Sequence, residues 1–270
     1  MKLLIVGGAG YIGSHTVKIA QENNHDITVL DNFSSGHEWA IQNCEVIQVD
    51  LLDINNLSKH LKNKKFDGVI HFAAKSLVGE SVLDPKLYYE NNVKGSINLF
   101  NEMIKNEIDN IVFSSSAAIF GNPNIERISE YQNKKPINPY GKSKLMIENI
   151  LEDYSKAYGL NVASLRYFNA AGADPFSLIG EAHHPETHLI PNIINSILFN
   201  EHDLEIFGNK YNTKDGTCIR DYIHVNDLAE AHLKSLKFLS KSEGFHEFNL
   251  GNGKGFSVFD IVKSCEKISK

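Results

Sequence analysis

The chain has 270 residues, 42% hydrophobic and 22% charged, the composition of an ordinary globular protein with one large domain, or one domain and a smaller appendage. A formal charge of -6 without a long basic run leaves no field to gather nucleic acid or anionic lipid. Cys44, Cys218 and Cys265 are odd in number and far apart, so they read as reduced thiols rather than a disulfide frame or a zinc site. With no signal-peptide pattern and no apolar run of about 18 residues, a cytoplasmic location is expected.

Short apolar runs recur at Leu3–Val6, Ile27–Leu30, Val46–Val49, Val69–Phe72, Ile111–Phe113 and Val162–Leu165. Runs hydrophobic on both faces and separated by helix-like stretches predict buried parallel strands, hence an α/β fold with a doubly wound, Rossmann-type sheet. Residues 142–158 carry Met146, Ile150, Tyr154 and Ala157 at helical steps, with Gly159 as a stop, which predicts an amphipathic helix lying on that sheet. Beyond Arg166 the rhythm breaks into Gly- and Pro-bearing loops, with short elements expected at Leu204–Phe207 and Tyr222–Val225 and a helix from near Phe256. The division that follows is a dinucleotide domain over residues 1–168 and a smaller, irregular substrate lobe over residues 169–270.

Gly7, Gly10 and Gly13 follow the first run directly. A tight turn, a close approach of backbone to pyrophosphate, and helix-to-strand packing each need a residue without a side chain, and the helix starting near Tyr11 aims its free N–H groups at the phosphates. Asp31 closes the second run 18 residues beyond Gly13. Its carboxylate accepts from ribose hydroxyls and repels a 2'-phosphate by about 4 kcal/mol per like-charge pair near 4 Å at an effective dielectric of about 20, so NAD is favoured over NADP. Asp50 stands in an equivalent place after the third run and serves either the adenine or the cap of a helix before Ile54.

Tyr140 and Lys144 are four apart at the start of the predicted helix and share one face. An ammonium about 4 Å from a phenol supplies about the 4 kcal/mol needed to bring its pKa from about 10 to near 7, which makes the pair a candidate general acid/base; the alternative is a surface helix pair. Ser116 ends the serine run after the fifth strand, at the carboxyl edge where open α/β sheets bind ligands, and either orients a reacting oxygen or belongs to a turn. His183, His184 and His188 lack a carboxylate at a familiar spacing and read as solvated loop histidines, so no metal is expected. Tyr88 and Tyr89 read as core.

Together Gly7–His15, Leu30–Asn32, His71–Ala74, Val78–Ser81, Ser114–Ala117, Pro139–Lys144 and Arg220–Val225 resemble the UDP-glucose 4-epimerases of the extended short-chain dehydrogenase family, over essentially the whole chain. The resemblance implies NAD taking hydride from C4 of a UDP-hexose while Tyr140 takes the hydroxyl proton, rotation of the 4-keto sugar, and return of hydride to the other face. By matching position, Tyr11, Ile12, Asp31, Asn32, Asp50 and Leu51 would touch NAD. So would Phe72, Ala73, Asn91, Phe168, Tyr140 and Lys144, together with Lys75, which stands one position earlier than the lysine of some members. Ser116, Tyr140, Asn169, Leu189 and Phe207 would meet the UDP-sugar, as would Arg220, Tyr222 and Val258. Arg220 suits a diphosphate on its own chemistry, its alternative being an ion pair with Asp221. Related dehydratases carry an acidic pair where this chain has Ala117 and Ala118, which favours epimerisation. Phe120 replaces a usual tyrosine. Family members continue for several dozen residues past Lys270, including an arginine and an aspartate that grip UDP, so a truncated, non-catalytic NAD-binding protein and an epimerase for another UDP-sugar are the competing readings. The resemblance also implies a homodimer through helices near 92–104 and 146–158.

Overall fold

The computed structural model describes residues 1–123, 125, 127–199 and 204–269. Its centre is β1 (Lys2–Val6), whose side chains from Leu3 to Val6 are completely shielded. Because side chains alternate across a strand, Leu4 and Val6 enter one apolar layer while Leu3 and Ile5 enter the other. A strand covered on both faces must therefore be apolar throughout, which is why the run is continuous.

Around it the chain lays down α1 (Tyr11–Glu22), β2 (Asp26–Asp31), β3 (Glu45–Gln48), α2 (Ile54–Leu61) and β4 (Gly68–His71). Next come α3 (Val78–Leu83), α4 (Pro85–Tyr88), a π-helical stretch over Tyr89–Lys94, α5 (Gly95–Lys105), β5 (Asn110–Ser116), α6 (Pro139–Tyr158) and β6 (Asn161–Tyr167). All six predicted strands form. The last part adds β7 (Asn169–Ala171), α7 (Leu189–Phe199), β8 (Ile219–His224), α8 (Val225–Leu239), β9 (Phe245–Leu250), β10 (Gly255–Ser257) and α9 (Val258–Ile268).

Among the described residues the large sheet is parallel and ordered β3-β2-β1-β4-β5-β6-β9. One face is filled from α2, α5 and α6 with Leu57, Leu99, Phe100, Met103, Ile147 and Leu151; α8 lies against α1 on the other, contributing Leu233, Leu236 and Leu239. Residues 225–250, grouped with the second lobe on sequence, thus supply a covering helix and the edge strand of the large sheet. A second sheet, β10-β8-β7, carries the opposite wall of the cleft. Leu204–Phe207, expected as an element, has no regular structure, and Phe207 is 82% exposed.

Helix α6 begins three residues before the predicted start, with Pro139 in its first turn and the Asn138 side chain accepting from Gly141 N at 2.8 Å. Its inner stripe also differs. The structure buries Lys144, Ile147, Glu148, Leu151 and Ser155, whereas Met146 is 44% exposed. The inner stripe carries two charged residues, so apolar spacing pointed to the neighbouring face, where Ile150 and Tyr154 lie against the rim of the core and the Tyr154 hydroxyl donates to Asn101 of α5.

Candidate active site

The three glycines divide their work as the motif requires. Gly7 has φ +80°, and a Cβ there would stand 2.5 Å from Ala73 N; a Cβ on Gly13 would strike the carbonyl oxygen of Gly7. Gly10 is different: its nearest protein atom would be 3.6 Å away, so its missing side chain leaves space on the cleft side. Gly10 also caps α1 without any side-chain hydrogen bond. A bare helix N-terminus over an open glycine fits a pyrophosphate.

Asp31 is buried at the end of β2, where its carboxylate accepts from Ala9 N at 2.9 Å and Phe33 N at 2.8 Å. The amides fix its direction and leave lone pairs for ribose hydroxyls. Asn32 donates to Asp50 at 2.8 Å, and Asp50 also accepts from Leu52 N. Asp50 is not the cap of α2; Asp53 is, accepting from Asn56 N. Of the two roles open to Asp50, the helix cap is therefore taken.

Ser116, Tyr140 and Lys144 converge where β5 ends and α6 begins. Tyr140 hydrogen-bonds Ser116, whose Oγ also accepts from Ala118 N at 3.1 Å. Lys144 Nζ donates to Ser114 O at 2.7 Å and lies 6.0 Å from the Tyr140 ring centre. The predicted depression of the phenol by a nearby ammonium is not seen: burial raises Tyr140 above the ordinary phenol range, with the Ser116 bond opposing. Burial also brings Lys144 down to about 7, with Glu148 pulling the other way. Each group is penalised for carrying charge alone.

Behind the serines sits a network that sequence reading did not single out. Glu148 accepts from Ser115 Oγ at 2.6 Å and Ser164 Oγ at 2.8 Å, and takes a two-pronged contact from Arg166 at 2.9 and 2.7 Å. Arg166 also meets Glu247 of β9, which pairs with Lys134. Asn92 was missed likewise: wholly buried in the π-helical stretch, it holds both the N–H and C=O of Lys75 and a contact to Ser143. Neither residue belongs to a recognisable spacing, because the partners just named lie 16 to 51 positions away in sequence.

The glycine turn, Asp31, Asp50, Ser116, Tyr140 and Lys144 line one cavity of about 1170 Å³, more than one small ligand needs, with the buried network behind its wall. Every residue expected to touch NAD lies on its wall, including Tyr11, Ile12, Leu51, Phe72, Ala73, Lys75, Asn91 and Phe168. Asn169 and Arg220 line the other side, and the Arg220–Asp221 ion pair is replaced: Asp221 accepts from the backbone of Asn252 and Gly253. Leu189, Phe207, Tyr222 and Val258 are not among the lining residues, although Tyr222 sits opposite Asn169 in the β7–β8 ladder.

His183 and His188, read as solvated and lacking carboxylates, instead face Glu181 and Glu186; His184 does not join them. His188 Nδ1 lies 3.0 Å from both Glu181 and Glu186, and His183 Nδ1 lies 3.4 and 3.5 Å from them. The carboxylates, Glu181 first, raise His183 to about 9 and His188 to about 10. The pattern crosses an irregular loop, so no helical or strand period announces it.

The sequence pattern of the NAD dependent epimerase/dehydratase family matches residues 3–251. The UDP-glucose 4-epimerase of Halalkalibacterium halodurans is 48% identical over 269 residues, covering all of this chain and 80% of that protein, and that of Lacticaseibacillus casei is 45% identical over 270 residues, with 82% of it covered. Among solved structures, UDP-glucose 4-epimerase from Brucella ovis in complex with NAD superposes with a TM-score of 0.94 at 46% identity, spanning 97% of this chain and 81% of that one. The Bifidobacterium longum enzyme in complex with NAD+ and UDP gives 0.95 at 34% identity, spanning 100% and 83%. Matched by the family pattern over residues 3–251 and 45–48% identical over its length to the first two of these relatives, the chain belongs to the UDP-glucose 4-epimerases of the NAD dependent epimerase/dehydratase family.

Proposed function

We propose that the chain interconverts UDP-galactose and UDP-glucose by NAD-dependent inversion at C4 of the hexose. The observation that carries this reading is the meeting of Ser116, Tyr140 and Lys144 in the same cavity as the glycine turn and Asp31. NAD, when bound, is the reversible hydride store. Gly7, Gly10 and Gly13 shape its phosphate seat, Asp31 accepts from its ribose, and Lys75 and Asn91 line the cleft beyond. Tyr140 moves the hydroxyl proton, Ser116 orients the sugar oxygen against it, and Lys144 steadies the phenolate: a buried phenol and a buried amine that are each costly to charge alone become favourable as a pair. Ala117 and Ala118 offer no acid to expel water, in keeping with epimerisation. Arg220 is suited to the UDP diphosphate and Asn169 to the sugar, while holding UDP remotely leaves the keto-sugar free to turn.

Incubating the chain with UDP-galactose and separating UDP-glucose from it tests the proposal. Tyr140→Phe should cut turnover by about 100-fold or more while leaving NAD bound. Bound NAD without turnover of any UDP-sugar would favour a non-catalytic role, and turnover confined to another sugar in a UDP-pentose, UDP-uronate and UDP-hexose panel would move the substrate. We infer also that two copies pair through α5 and α6, whose outward stripe includes the half-exposed Met146 and Tyr158, and that the chain works in the cytoplasm, where Cys44, Cys218 and Cys265 stay free. Among the described residues no helix is long and apolar enough to cross a membrane. Sedimentation of the parent and of Met146→Glu distinguishes dimer from monomer.

A further inference from the structure

The loop between β7 and α7 gathers two imidazoles and two carboxylates whose donor atoms all lie within 4.8 Å of one another. Zinc-class ions bind nitrogen and oxygen at about 2.0–2.2 Å in tetrahedra, so neighbouring donors stand about 3.3–3.6 Å apart. The His183 separations, 3.4 Å to Glu181 Oε1 and 3.5 Å to Glu186 Oε2, are of that size. His188 Nδ1 stands closer, 3.0 Å from Glu181 and 3.0 Å from Glu186, the latter a hydrogen bond that a bound ion would replace. His183 Nδ1 is closed off from solvent and makes no hydrogen bond, although both carboxylates are near. A donor that faces two acceptors without bonding either is arranged for an atom between them.

The supporting contacts match a metal site as well. Glu186 Oε1 accepts from Thr187 N and His188 N, both at 2.8 Å, which fixes the carboxylate. The backbone between the ligands is pinned by His37, which contacts Ala182 O at 2.9 Å, and the His183 ring meets Tyr11 edge-on at 6.3 Å. Ligands oriented by outer contacts in this way are typical of built sites. We propose that Glu181, His183, Glu186 and His188 bind one divalent transition-metal ion of the zinc class, which pins the loop leading into α7 against the start of α1. Two imidazoles with two carboxylates select borderline ions such as Zn2+ and Co2+ over Mg2+ or Ca2+. Four protein ligands leave no open position, so the ion is structural.

Tag-free chain stripped with a chelator and titrated with Co2+ tests the site without reference to turnover. The visible absorption of tetrahedral cobalt should rise to about one equivalent per chain and vanish on adding Zn2+. His183→Ala/His188→Ala and, separately, the nearly isosteric Glu186→Gln should show no such band at concentrations that saturate the parent. Losing an outer-shell partner weakens metal binding about 10–100-fold, so losing a ligand should cost about 100-fold or more. Circular dichroism checks that each variant is folded, and Glu186→Gln carries the test if the double variant is not. No tetrahedral band in the parent, a band that survives in either folded variant, or sulfur-to-cobalt charge transfer pointing to the cysteines would overturn the proposal.

Discussion

Burial acts on Tyr140 and Lys144 in the same sense, against the charged form of each. With the phenol held high by burial and the amine brought to about 7, Tyr140 rests protonated near pH 7 while Lys144 is about half charged. Tyr140→Phe should lower kcat by about 100- to 10000-fold, the range of a lost general acid/base, with little change in KM; steady-state kinetics on UDP-galactose checks the split. His71 gives a stability prediction. Burial, then the charge of Lys144, lowers its imidazole to about 3, and its Nε2 contacts Ser96 at 2.8 Å. With the folded value below the unfolded one, its contribution is complete above about pH 6.5 and is lost as pH falls towards 3, because the unfolded chain takes the proton first. The urea midpoint should therefore fall between about pH 7 and about pH 5, and fall less in His71→Gln. At Glu148, Arg166→Met would leave a wholly buried carboxylate without its guanidinium, at a cost of about 3–5 kcal/mol in denaturant unfolding. Arg166→Met with Glu148→Leu should recover most of it, since a buried pair replaced as a unit is often neutral.

The glycine turn and α6 show how far local pattern carries. At the turn, spacing and position were sufficient: strand, three glycines and helix fall where the motif puts them, because each glycine answers a separate steric demand. Gly13→Ala should destabilise by about 1–3 kcal/mol through overpacking against Gly7. Gly10→Ala, with open space beside it, should melt within about 1 kcal/mol of the parent yet bind NAD far more weakly. Calorimetry beside NAD titration separates the two. In α6 the position of Tyr140 and Lys144 was legible, but the inner stripe was not. A core-facing lysine and glutamate invert the usual relation between polarity and exposure, and only tertiary partners such as Ser114, Ser164 and Arg166 explain why they are tolerated.

For the whole molecule, the strands that read as unbroken apolar runs were those covered on both faces. β9 escaped because its sequence, Phe245 to Leu250, mixes His246, Glu247 and Asn249 into a half-buried edge. Its contribution is legible only through partners, above all the Arg166–Glu247 contact. The cofactor choice, by contrast, was visible in Asp31 alone. NAD at about 100 times its dissociation constant should stabilise the chain by about 2.7 kcal/mol, raising its melting temperature, whereas NADP at the same concentration should leave it unmoved. Asp31→Ser should narrow that gap. The order of the large sheet has a mechanical consequence. β6 and β9 are direct neighbours, paired from Val162–Phe245 to Tyr167–Leu250, yet β7, α7, β8 and α8 lie between them in the chain, and β10 follows β9. Two of the three strands of the cleft's far wall, β7 and β8, therefore belong to an excursion that leaves and rejoins the same border of the sheet, and the third, β10, departs from that border again, like a gate hung on two adjoining hinges. Prying it away from the dinucleotide half must load the β6–β9 seam directly, so pulling on the wall should tear that seam before it disturbs the β1–β4 centre.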